Sequence, residues 1–214
     1  MKCAPVLRLV AGILCASLIL AAGCSRSPTP RFYTLHSLTD PGTERPGTGV
    51  DHGVAIGLGP IELPEYLNRP QIVTRVNPSE VEFAEFHRWA ASLRDDFSST
   101  LARNLSNLLD TDRVAVYPWT SKTPVDVQVK IDVIRFDGRI GKNVVLETAW
   151  TLLGKDRTKP LLSRGSVVSE KVDESGYKGL VEAHGRAIAG LSREIAGAIQ
   201  ALPRNEPIPS SEGD

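Results

Sequence analysis

Val125-Asp126-Val127-Gln128-Val129-Lys130-Ile131-Asp132-Val133 places an apolar side chain at every second position and a polar one between. A period of two marks a strand with one buried and one wet face. This is the clearest such stretch in the chain, and its neighbours extend it. Gly138 to Lys142 reads as a turn. Val144 to Gly154 and Leu161 to Lys171 read as two further long strands joined by the polar Lys155 to Lys159. Long consecutive strands with tight links predict an antiparallel meander.

Upstream, Arg31 to Leu38 is rich in aromatic and β-branched residues and predicts a strand, and Val54 to Gly59 predicts another, with Val54, Ile56 and Leu58 on one face. Between them, Thr39 to Gly53 carries Pro41, Gly42, Pro46, Gly47 and Gly49 and reads as a loop. Pro60 and Pro64 are expected to break regular structure. Gln71 to Arg75 and Glu80 to Phe86 read as strands paired across Asn77-Pro78-Ser79, with Val81, Phe83 and Glu85 facing one way. Val114 to Tyr117 is a short strand. Two segments change period. Leu93, Phe97, Leu101, Leu105 and Leu108 recur every three or four residues, as do Leu180, His184, Ala187, Ile188, Leu191, Ile195, Ala198, Ile199 and Leu202. Both are amphipathic helices, the first ending at Leu109 to Asp112 and the second at Pro203. The expected fold is an α/β domain of the α+β type. It is a two-layer sandwich with a mostly antiparallel or mixed sheet and two main helices on one face.

The N-terminal segment is of another kind. Lys2 and Arg8 precede an uncharged, mostly apolar run from Leu9 to Leu20, which ends in Leu20-Ala21-Ala22-Gly23-Cys24. A basic head, a short apolar core and small residues before a cysteine read as a lipoprotein export signal over residues 1–23. A transmembrane helix needs about 20 apolar residues, and Leu9 to Ser25 falls a little short. The alternative is an uncleaved anchor. On the signal reading, Cys24 carries the lipid, residues 24–31 are a tether, residues 32–203 form one domain, and residues 204–214 are a polar, proline-containing tail. Ala21 departs from the leucine common at that place, with Leu20 one position earlier. Ser25 after the cysteine fits transfer to the outer membrane, where aspartate would favour retention in the inner one. Three acyl chains at ~0.8 kcal/mol per buried CH₂ would make the attachment effectively permanent.

Charge and cysteine content narrow the function. The chain has 25 basic and 25 acidic side chains. Loss of Lys2 and Arg8 leaves the mature protein slightly acidic, without the basic excess that nucleic-acid binding calls for. Cys3 and Cys15 leave with the signal and Cys24 is acylated, so the folded domain has no disulfide, thiolate metal site or cysteine nucleophile. His36, His52, His87 and His184 show no zinc-helix spacing, and His184 falls on an apolar stripe, where a core role is expected. No Gly-x-Ser-x-Gly elbow occurs, and Gly57-Leu58-Gly59 lacks the third glycine of a dinucleotide loop. Asp95-Asp96 reads as a solvated pair near a helix N-terminus. No catalytic residue, metal site or cofactor is nominated. Phe83, Phe86, Trp89, Tyr117, Trp119 and Trp150 fit either core or interface.

Taken together, several segments resemble the ABC-type transport auxiliary lipoproteins of the PqiC/YmbA kind. They are Arg31-Phe32-Tyr33-Thr34-Leu35; Ile56-Gly57-Leu58-Gly59-Pro60-Ile61-Glu62-Leu63-Pro64-Glu65-Tyr66-Leu67; Arg69-Pro70-Gln71-Ile72-Val73-Thr74-Arg75; Phe83-Ala84-Glu85-Phe86-His87-Arg88-Trp89-Ala90; and Tyr117-Pro118-Trp119. The resemblance implies a non-catalytic, outer-membrane-anchored component of envelope lipid transport. It implies as partners a PqiB-like MCE-domain protein and an inner-membrane permease, and it allows a homo-oligomeric ring. Competing expectations are a structural or assembly lipoprotein that handles no lipid, and a periplasmic hydrolase. Within the domain, Pro60, Leu63, Pro64, Tyr66, Arg69, Pro70 and Gln71 are the candidate partner or oligomer surface. Apolar residues on a loop either tuck under the domain or meet a partner, and both readings stand for this loop.

Overall fold

The computed structural model describes residues 28–37, 53–174 and 176–203. The signal, residues 24–27 of the tether including Cys24, most of the first loop and the C-terminal tail lie outside the described residues.

The alternating strand is the spine of the sheet. β6 (Val127–Gly138) is longer than its alternation suggests. Its pairing with β7 (Asn143–Leu153) shifts between Val133 and Arg135, a bulge that changes which residues face inward. Before it, Val127, Val129, Ile131 and Val133 are buried; after it, Phe136 is. The period therefore breaks at Val133 while the strand continues. β7 pairs antiparallel with β6 on one side and with β8 (Pro160–Lys171) on the other, giving the expected meander.

The other edge of β6 is shared. β2 (Ile56–Glu62) runs parallel to its first half, from Ile56 opposite Val127 to Glu62 opposite Asp132. β3 (Gln71–Asn77) meets its far end, with Thr74 opposite Gly138. From β2 the sheet continues to β5 (Val114–Val116), and from β3 to β4 (Glu80–Trp89) and then β1 (Arg31–Tyr33). All eight strands form one mixed, open sheet. Two expectations are corrected. The first strand is three residues long. Pro60 does not end β2: the chain bulges between Leu58 and Ile61 and resumes pairing.

Helices α1 (Leu93–Leu109) and α2 (Gly176–Gln200) cover one face. Leu93, Phe97, Leu101 and Leu105 of α1 are buried at four-residue spacing, and Asp110 closes the helix in a left-handed conformation (φ 51°). Phe136 joins the layers: Phe97 of α1 and His184 of α2 both meet its ring edge-on, at 5.5 and 4.7 Å between centroids. A Cβ at Gly190 would fall 2.8 Å from Val168, so only glycine lets α2 lie this close to β8. Trp150 is a core residue; its indole donates to Ser166, whose hydroxyl donates to Glu194 (2.9 and 2.5 Å). The other sheet face is not uniformly wet, because Gln128 and Asp137 on it are buried.

His184 is buried against Phe136 and Trp89, and its Nδ1 donates to the Leu180 carbonyl at 2.8 Å. Burial pushes its pKa from 6.5 down to about 4. The folded state thus holds the neutral ring, while the unfolded chain takes up a proton near pH 6.5. This contribution is complete above pH 6.5 and is lost as the pH falls toward 4, at most about 3 kcal/mol. Urea titrations between pH 7 and 4.5 should show stability falling, with a shallower fall in His184→Leu. Equal slopes in the two proteins would show that the ring carries no such penalty.

Candidate functional site

The bulge in β2 builds one wall of a cleft. Gly59 sits at φ +119°, a backbone region that only glycine enters freely, and a Cβ there would lie 2.7 Å from that of Tyr117. The Gly59–Pro60 and Tyr117–Pro118 peptides are both cis. Gln128 reaches across the buried sheet face and donates to the Gly59 carbonyl at 2.8 Å, and Tyr117 N donates to Leu58 O at 2.9 Å. These bonds fix Leu58 to Glu62 against the Tyr117–Pro118 corner. The first turns of α1 supply the third wall through Arg94, Asp95, Ser98 and Ser99. The cleft encloses about 340 Å³.

Its floor is Leu58 and Ile61 and its rim is aromatic. Tyr117 is 54 % exposed and meets Trp119 edge-on at 5.4 Å. Trp119 in turn lies over Gly57, where a Cβ would fall 3.0 Å from its ring. Arg94 and Glu62, both exposed, approach to 4.0 Å, a pair of little energetic weight in water. The Ser98 hydroxyl donates to the Arg94 carbonyl (2.7 Å) and is directed into its own helix. The arrangement sets an apolar floor and an aromatic rim beside a polar helix wall.

A second cluster lies beyond the bulge of β6. The Asp137 carboxylate is fully buried. It accepts from Arg75 Nε and Nη2 (2.8 and 2.6 Å), Arg135 Nε (2.9 Å) and the Tyr66 hydroxyl (2.9 Å). Burial alone would raise its pKa, but bonds from Arg75, Arg135 and Tyr66 outweigh burial and hold it below the ordinary carboxylate value. Burial, then the neighbouring carboxylate, pushes the Tyr66 hydroxyl up to about 12.

The candidate loop is divided between these two places. Pro60 lines the cleft. Leu63 packs partly buried against the core, and the Pro64 carbonyl starts the short 3-10 turn Glu65–Leu67 by accepting from Leu67 N (2.9 Å). Tyr66 is bonded to Asp137. The Arg69 guanidinium lies over the Phe83 ring at 3.7 Å, with its buried Nε lacking a hydrogen-bond partner. The Pro70 carbonyl accepts from Trp89 N (2.7 Å), and Gln71 opens β3 opposite Arg88. Cys24 lies outside the described residues. Phe83, expected to share a face with Val81, is 42 % exposed.

Sequence reasoning missed Asp137, Gln128 and the role of Asp96. Asp96 is no mere solvated charge: it accepts from Leu35 N at 3.0 Å and ties the chain after β1 to α1. Asp137 lies beyond the alternating run and past the bulge, so nothing local in the sequence says which way it faces or that a loop will cover it. Among the described residues, no group of three or more His, Cys, Asp or Glu side chains is placed to hold a metal ion, and no helix is long and apolar enough to cross a membrane.

The class so defined is an open mixed-sheet α+β domain, with helices on one face and a small cleft of mixed polarity at the sheet's edge. Residues 33–196 match the ABC-type transport auxiliary lipoprotein component family, and the chain belongs to that family. It is a family of transport auxiliary lipoproteins, which work with partners, and not a known enzyme family. Two crystal structures share the fold. An uncharacterized protein is 22% identical, with a TM-score of 0.64, covering 80% of this chain and 99% of its own. A protein from Xanthomonas campestris is 17% identical, with a TM-score of 0.64, covering 79% of this chain and 94% of its own. No curated protein matches the chain.

Asp137→Ala leaves two guanidinium groups and a phenol without their shared acceptor and should cost about 3 kcal/mol in urea unfolding at pH 7. Tyr66→Phe, which removes one donor, should cost about 1 kcal/mol. Because the folded pKa of Asp137 is depressed, its contribution is present above pH 3.8 and lost as the pH falls through the folded value. An Asp137→Ala protein as stable as the wild type would refute the network's structural role.

Proposed function

We propose that the protein is an outer-membrane lipoprotein, attached through Cys24 and facing the periplasm. It docks or tethers the periplasmic conduit of an MCE-type, PqiB-like lipid transport system. The observation that carries this reading is family membership over residues 33–196 with a lipobox-like Leu20-Ala21-Ala22-Gly23-Cys24 immediately upstream. Ser25 supports release to the outer membrane. The mechanism is physical: a lipid-anchored domain holds the conduit's end at the inner leaflet, so that lipid passes without crossing water. The cleft rim at Pro60 and Tyr117 is the partner contact on this reading. The loop through Leu63, Pro64, Tyr66, Arg69, Pro70 and Gln71 supports that rim or forms a contact between copies.

The test is pull-down of the full chain from crosslinked, detergent-solubilised membranes. Co-recovery of an MCE-domain protein together with phospholipid is expected. Recovery of the protein without lipid would favour a purely structural tether, and recovery of neither would overturn the reading. Attachment is tested separately. Cys24→Ala should lose incorporation of labelled palmitate and outer-membrane fractionation, and Ser25→Asp should move the protein to the inner-membrane fraction.

A further inference from the structure

The end of the sheet that emerges from the tether carries features that neither the cleft nor the Asp137 cluster uses. Among the described residues β1 is an edge strand, held by β4 on one side. Phe32, in its middle, is 63 % exposed. A bare phenylalanine on an open strand edge invites contact with a second apolar phase. Arg88 is its register partner on β4, whereas Arg31 pairs with His87 and faces the helix side. Gln71 pairs Arg88 from the other side, and Arg69, two residues earlier, lies over the exposed Phe83. Glu85, whose carbonyl accepts from Arg88 Nε, is the nearby acid, so the arginines outnumber it. Glu82 bears instead on Tyr177, on the helix side. The patch is thus aromatic and basic, the composition that seats a protein surface in the headgroup region of an anionic bilayer.

The length of chain outside the domain says which phase is near. Seven peptide steps join Cys24 to Arg31, a span of about 25 Å when fully stretched. Pro28 and Pro30 stiffen that link. An acylated Cys24 therefore keeps β1 within a short reach of the lipid surface, while strands at the far edge of the sheet are under no such constraint. We propose that the β1–β4 end of the sheet rests on the bilayer that holds the anchor. Phe32 lies in the interfacial layer and Arg69 and Arg88 lie against anionic headgroup phosphates. This rests on the attachment reading of Cys24 and deepens it: the domain is oriented by its own surface as well as leashed by its lipid.

The test uses the full, lipidated chain in vesicles of phosphatidylethanolamine and phosphatidylglycerol. The acylated mature chain has no free thiol, so Phe32→Cys takes a single environment-sensitive fluorophore. Val167→Cys, at a position 67 % exposed on β8, is the control. With spin-labelled lipid present, the label at position 32 should shift to the blue and be quenched, and the control should not. Replacing phosphatidylglycerol with phosphatidylcholine, or adding Arg88→Glu, should weaken the quenching. A protein that floats with the vesicles while its label at 32 stays as unquenched as the control overturns the proposal and leaves the anchor standing. A protein that does not float overturns both. A shift at 32 that follows protein density and ignores the spin-labelled lipid assigns the patch to a second copy and overturns the proposal.

Discussion

One edge of β6 is shared by two strands, and the architecture depends on that constraint. A strand offers one row of backbone donors and acceptors on each side. β7 uses one row from Gly138 back to Gln128. On the other, β2 occupies the first half and β3 the tip, so the sheet forks into a β2–β5 arm and a β3–β4–β1 arm. The segment Leu63 to Pro70 crosses from one arm to the other, and the Asp137 cluster sits where it crosses. Tyr66 from the crossing, Arg75 from β3 and Arg135 from β6 converge on a single carboxylate. A buried charge is tolerable only when fully bonded. Here the bonds also join the spine, one arm and the crossing.

The helix layer rests on the same spine. Phe136 faces inward only because the bulge after Val133 turns the strand over, and its ring is the common neighbour of Phe97 and His184. Without the bulge, Phe136 would face outward and Asp137 inward. One register shift thus places the aromatic contact between the helices and the carboxylate beneath the crossing.

Whatever repeats was legible in the sequence. The β6 alternation, the meander after it and the four-residue spacing of Leu93, Phe97, Leu101 and Leu105 are local signals that tertiary structure preserved. Features that depend on distant partners were not legible. Parallel pairing of β2 with β6 and β5 leaves no mark in β2 itself. Pro60 reads as a breaker because local rules do not know that a bulge will absorb it. Gln128 reads as wet because alternation reports polarity and not coverage, and Asp137 lies past the bulge, where the alternation no longer says which way a side chain faces. The cleft draws walls from three separated segments, near residues 58–62, 94–99 and 116–118, and only Pro60 and Tyr117-Pro118 stand out in the sequence. The family resemblance was legible where its segments form the sheet's arms and the crossing between them, and residues 33–196 bear it out.

The fork also orders events in time. β3 and β4 are joined by a tight turn and can pair as soon as they are made. β2 precedes both but finds its neighbours only in β5 and β6, which come after α1 in the chain. Until the second half of the chain arrives, an apolar strand carrying Ile56, Leu58 and Ile61 waits with both edges open. A chain threaded across a membrane from its N-terminus would hold that strand unpaired while β3, β4 and α1 follow it through. Its capture between β5 and β6 closes both edges at once.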